Sequence, residues 1–83
     1  MEQQYNFPIG QWLYIDDNGV EMLFRFLEFT NKRWVTNECY QVIDGEVYVN
    51  KGRFVITTNQ EVVEADDSKL DEILALAESQ NKG

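Results

Sequence analysis

Histidine is absent from this chain and cysteine occurs once, at Cys39. The first absence removes the commonest general base and the commonest metal ligand. The second excludes an intramolecular disulfide and points to a reducing, cytoplasmic setting. Basic residues are scarce as well: seven Lys and Arg stand against fifteen Asp and Glu, a formal charge of −8. That excess disfavours direct contact with nucleic acid or anionic membrane and favours a protein partner with a basic surface. No run approaches the ~18–20 apolar residues of a membrane span, and the opening MEQQYNF lacks the basic and apolar regions of a secretory signal. The single proline, Pro8, takes a donor out of the alternating Tyr5, Phe7 and Ile9, which confines that extended segment to a sheet edge.

What remains is rich in strand formers. Val20 to Phe29 reads VEMLFRFLEF, with Met22, Phe24 and Phe26 on one side of a strand and Leu23, Leu27 and Phe29 on the other. A strand apolar on both faces belongs in the middle of a sheet. It is preceded by Gln11–Ile15, which sets Trp12 and Tyr14 against Leu13 and Ile15, and by the hairpin signal Asn18-Gly19. After the polar break Thr30-Asn31-Lys32, Arg33–Ile43 alternates so as to group Val35, Cys39 and Ile43 opposite Trp34, Thr36, Tyr40 and Val42, with a bulge expected near Asn37-Glu38. Asp44-Gly45 is a second hairpin turn, Glu46–Val49 a short strand, Asn50-Lys51-Gly52 a third turn and Arg53–Thr58 a closing strand.

Glu61–Ala65 either adds a sixth strand or leads into a helix over residues 68–80, where Leu70, Ile73, Leu74 and Ala77 form one stripe and Ser68 with Asp71 forms a capping box. The expected fold is α+β and mostly β, in one domain over residues 1–83. A flexible stretch at 1–4 leads into a curled antiparallel meander of five or six strands at 5–65, either an SH3-like small barrel or a strongly twisted sheet, and a C-terminal helix follows.

Candidate chemistry is thin. Asp16-Asp17-Asn18-Gly19 with Glu21 offers oxygen ligands for calcium, but the spacing is that of a turn and not of a twelve-residue calcium loop. Cys39 has no histidine to make its thiolate and alternates inward. The carboxylate pairs Asp66/Asp67 and Glu61/Glu64 need an apolar pocket to separate their pKa values, and a chain this short rarely encloses one. The expectation is therefore a non-enzymatic chain without cofactor or metal.

The charge is uneven. Residues 61–83 carry Glu61, Glu64, Asp66, Asp67, Asp71, Glu72 and Glu78 against Lys69 and Lys82, or 2 − 7 = −5 of the total −8. Acids in a first helical turn suit the macrodipole. The sharper expectation is an acidic surface, formed by Glu64, Asp66, Asp67, Asp71, Glu72 and Glu78, that docks on a basic groove of a protein partner. The helix alone is too sparse to imitate nucleic acid, because Asp71 and Glu78 lie ~10 Å apart along its axis. Sheet acids such as Glu38, Asp44 or Glu46 would have to align with it.

Trp12, Tyr14 and Trp34 are secondary candidates for a partner contact, being of the residue types enriched at interfaces. The alternative is a homodimer that uses exposed aromatics and a free sheet edge, for which Tyr5–Ile9 is the expected segment. In its general look, short, acidic and aromatic with no catalytic side chains, the chain is similar to small accessory proteins of bacteriophages and mobile elements, including anti-defence inhibitors. That likeness implies a blocking role on a partner.

Overall fold

Three two-residue turns set the path of the chain. Asn18 and Gly19 take φ of 52° and 89°, Asp44 and Gly45 take 52° and 80°, and Asn31 and Lys32 take 52° and 61°. Positive φ at both central positions is the mark of the type I′ hairpin, whose twist matches the strands it joins. The computed structural model describes residues 7–80. Around these turns run β1 (Trp12–Asp17), β2 (Val20–Arg25), β3 (Glu28–Thr30), β4 (Arg33–Thr36), β5 (Cys39–Ile43), β6 (Glu46–Asn50), β7 (Phe54–Ile56) and β8 (Val63–Glu64), and then α1 (Asp67–Gln80). The strands form a five-stranded sheet in the order β6-β5-β2-β1-β8 and a three-stranded sheet in the order β3-β4-β7. Every pairing is antiparallel.

One bent hairpin joins the two sheets. Phe24 lies opposite Cys39 in the larger sheet and Glu28 opposite Val35 in the smaller, so β2 with β3 and β5 with β4 keep one register throughout. Between them Arg25 N–H donates to Glu38 C=O (3.1 Å) and Leu27 N–H to Val35 C=O (3.0 Å). The alternation slips at this bend. On the first arm the residues facing the core run Phe24, Phe26 and then Phe29, and on the second Cys39 and then Trp34. Trp34 and Cys39 therefore share a core, against the expected grouping that set them on opposite faces. The fully buried Thr36 hydroxyl serves the bend by donating to Glu38 C=O (2.9 Å) and accepting from Glu38 N–H (3.1 Å). Without that hydroxyl the Glu38 N–H would lose its partner, while the Glu38 carbonyl would keep Arg25 N–H.

The larger sheet is buried on both sides, as the doubly apolar β2 requires. One face places Leu13, Ile15, Phe24 and Cys39 with Phe26, Trp34, Ile56 and Val62, and with half-buried Phe7, Phe29 and Phe54, against the smaller sheet. The other face places Leu23, Tyr40, Val42 and Val47 under Ile73 and Ala77 of α1, with Leu70, Leu74 and Leu76 alongside. The expected helical stripe is thus the one that docks. The helix begins one residue earlier than expected and its cap is different. Asp66 Oδ1 accepts from Lys69 N–H (2.7 Å), and Leu70 N–H reaches Asp66 C=O (3.0 Å). Asp66 is the N-cap, and the Ser68/Asp71 box is not the one used.

The fold is mostly antiparallel β with one C-terminal helix. The two sheets keep separate ladders, so the strands do not close into a barrel. The meander has more and shorter strands than expected, because the bend divides each of its two long strands. Val63–Glu64 does pair with β1, as the sixth strand of the sequence reading. The expected edge segment falls in part on Tyr5 and Asn6, which lie outside the described residues. Ile9 and Gly10 form a turn instead of a strand, with Gly10 at φ 92°.

Candidate functional site

The acidic residues of the C-terminal portion are all exposed: Glu61, Glu64, Asp66, Asp67, Asp71, Glu72 and Glu78. Over residues 61–80 they meet one cation, Lys69, a balance of 1 − 7 = −6. They do not form a single face. At 100° per residue Asp67, Asp71 and Glu78 fall on one stripe of α1, while Glu72 lies roughly a quarter-turn or more away. Lys69 reaches Glu72 at 3.5 Å and Glu21 on β2 at 2.9 Å. Asp66 is exposed but committed to the cap. Glu64 pairs opposite Leu13. Cross-strand partners share a face, so its carboxylate points to the side away from α1. Of the sheet acids, Glu38 is held by Arg25 (3.6 Å) and Lys51 (3.9 Å) and is withdrawn from any acidic surface.

The aromatic candidates separate equally clearly. Trp34 is 3 % exposed and packs at ring-centroid distances of 4.6 to 6.2 Å from Phe7, Phe24, Phe26 and Phe29. It is a core ring, which corrects its assignment as a contact residue: the parity slip at the bend turns it inward. Trp12 and Tyr14 are half-buried on the helix side of the larger sheet. Trp12 leans on Tyr40 (5.9 Å) and carries the Arg25 guanidinium 4.7 Å above its ring, a cation–π contact whose cation is also tied to Glu38.

Tyr14 is part of a clasp between sheet and helix. Its hydroxyl donates to Glu21, and Lys69 Nζ sits 5.6 Å from its ring while bonding the same Glu21. Burial first, then the bond to Glu21, pushes the Tyr14 phenol well above its ordinary value. The bonds from Tyr14 and then Lys69 hold Glu21 below its own. Tyr40, buried and bonded to Glu38 (2.6 Å), is pushed up to about 12. None of these phenols is poised for proton transfer near neutrality. Burial alone pushes the Cys39 thiol up to about 12, the opposite of an activated nucleophile. Asp16-Asp17-Asn18-Gly19 is used as a turn, with Asp17 accepting from the Thr58 hydroxyl (3.4 Å). Among the described residues no helix is long and apolar enough to cross a membrane.

Two positions carry more than sequence reasoning gave them. Glu21 was legible in principle: the Asn-Gly hairpin sets Tyr14 opposite Leu23 and Asp16 opposite Glu21, so Tyr14 and Glu21 are diagonal neighbours on one face. Gln80 had no such signal. Its side-chain amide accepts from Val47 N–H (2.8 Å) and donates to Val47 C=O (3.0 Å), thirty-three residues away. Comparison with known proteins adds no identity, since no family, curated protein or solved structure matches the chain.

Proposed function

We propose that the chain is a non-enzymatic protein-binding module that occupies a basic, nucleic-acid-binding surface of a protein partner and so blocks it, in the manner of small anti-defence inhibitors of bacteriophages and mobile elements. The observation that carries this reading is the uncompensated charge of residues 61–80, seven exposed carboxylates against a Lys69 already engaged by Glu21 and Glu72. Asp67, Asp71 and Glu78 project from a helix seated on a sheet buried on both faces, so the charge is presented on a fixed frame. Their spacing along the axis is ~6 Å and ~10 Å, which suits a few discrete Arg or Lys contacts better than a continuous imitation of a duplex. The bent hairpin shared by two sheets supports reading the frame as an open variant of the SH3-like small barrel. The cytoplasm is the compartment in which such a partner would be met.

The test is displacement of fluorescein-labelled duplex DNA from a panel of DNA-binding proteins with basic grooves. The chain displaces duplex from at least one of them, with an apparent affinity that falls as salt rises. Asp71→Lys with Glu78→Lys, which leaves the first helical turn and its cap intact, weakens displacement and flattens the salt dependence. Displacement indifferent to salt and to both substitutions, or no displacement from any member of the panel, refutes the reading.

A further inference from the structure

We propose that β6 is a self-pairing edge and that Gln80 is its removable cover, the occupant being β6 of a second copy of this chain. At five residues β6 is the longest edge strand of either sheet: β3 and β7 have three residues each and β8 has two. The Asp44-Gly45 turn makes Ile43 and Glu46 the closing pair. The backbone groups of Val47 and Val49 consequently point away from β5, out of the sheet. Those of Val47 are both taken by the Gln80 amide, which does with a side chain what a neighbouring strand would do with its backbone. Val49, next along, is 40 % exposed, and Tyr48 and Ile43 are 51 % and 37 % exposed. An edge of this length bearing apolar side chains is the kind that proteins protect.

The edge is complementary to itself when the pair is centred on Tyr48. With two antiparallel copies centred on Tyr48, Val47 of each lies opposite Val49 of the other, and four backbone hydrogen bonds close. Tyr48 then meets Tyr48 on the face away from α1, and Glu46 lies opposite Asn50. Lys51 falls opposite Gly45, beside Asp44 and Glu46 of the second copy. No like charges are directly opposed. Centring the pair on Glu46 instead would set two glutamates against each other and leave the valines unpaired. The two five-stranded sheets would then continue as one across a twofold axis, an isologous contact. Cover and partner compete for the same donor and acceptor of Val47, so breaking the Gln80 bonds favours the second copy. Each copy carries a charge of −8, so this association strengthens with salt, whereas docking of the acidic helix on a basic partner weakens.

The experiment is sedimentation velocity of the full chain over a concentration series at low and high salt. Gln80→Met keeps the length and helix preference of the side chain but cannot bond Val47, and Gln80→Ala serves as a second variant, with far-UV circular dichroism confirming that each is folded. Both should self-associate at least ~tenfold more tightly than the unaltered chain, as expected when a competing pair of hydrogen bonds is removed from each copy. Adding Tyr48→Lys to Gln80→Met returns the monomer, Tyr48→Glu does the same, and mixing the two restores a dimer at low salt. Gln80 variants that associate no more tightly than the parent overturn the proposal, as does a Gln80→Met dimer indifferent to Tyr48→Lys.

Discussion

Replacing Ile73 with alanine tests whether α1 is an integral layer of the fold. Ile73 is 1 % exposed and packs among Leu23, Tyr40, Val42, Val47 and Ala77. The substitution deletes three carbons, worth ~2.4 kcal/mol at ~0.8 per methylene. The residual cavity adds ~1 kcal/mol, and the better helix preference of alanine returns ~0.4. The net loss is ~3 kcal/mol. A chain of 83 residues holds a total of ~4–12 kcal/mol at ~0.05–0.15 per residue, so the variant forfeits a quarter or more of it. Urea unfolding followed by far-UV circular dichroism and by tryptophan fluorescence should show the midpoint falling by ~2–3 M for a slope of ~1–1.5 kcal/mol/M, with the two signals still coincident. Ala75→Ser, on the exposed side of the same helix, should change stability by less than ~0.5 kcal/mol. A loss below ~1 kcal/mol for Ile73→Ala, or helix signal disappearing before the tryptophan signal, would refute the view that the helix shares one cooperative core with the larger sheet.

Three further outcomes are expected. Glu21 has its pKa held down by Tyr14 and Lys69; a depressed carboxylate contributes stability above its unfolded value, ordinarily 4.5, and loses it as pH falls through the lower folded value. Glu21→Gln should therefore destabilise the chain at neutral pH and flatten the acid limb of a stability–pH curve, and an unchanged acid limb would show that the clasp carries no linkage. Lys32 occupies φ 61° in the β3–β4 turn, so Lys32→Gly should raise stability by ~0.5–1 kcal/mol, read as a higher thermal midpoint; a lower midpoint would contradict the turn. Thr36→Val removes the hydroxyl that serves Glu38 N–H and C=O at the bend. It should cost ~1–3 kcal/mol by urea unfolding, and a neutral result would mean that water replaces the bond.

Local patterns carried much of this fold. The Asn-Gly and Asp-Gly corners, the doubly apolar Val20–Arg25 half of the long second strand and the stripe of Leu70, Ile73, Leu74 and Ala77 act as elementary stereochemistry says they should, because each is decided by neighbours a few residues away, whereas Phe29, expected opposite Phe24 and Phe26, joins their core beyond the bend. The failures cluster where that locality ends. Trp34 reads as the outward partner of Tyr40 only if alternation is unbroken through Asn37-Glu38, and the bend that breaks it exists because two sheets must stack. Asp66 in place of Ser68 caps the helix because the run from β8 delivers the chain to that corner.

Charge, composition and the absence of histidine belong to the letters themselves, since they are sums over residues and survive any folding. How the charge is deployed does not. Glu38 is neutralised by Arg25 and Lys51, Glu64 turns to the far face and Glu72 shares Lys69 with Glu21, leaving Asp67, Asp71 and Glu78 as the stripe that meets solvent. The bonds between Gln80 and Val47 join residues thirty-three positions apart. Such contacts follow from where a packed helix happens to end relative to a sheet edge, and no periodicity in the chain encodes that distance.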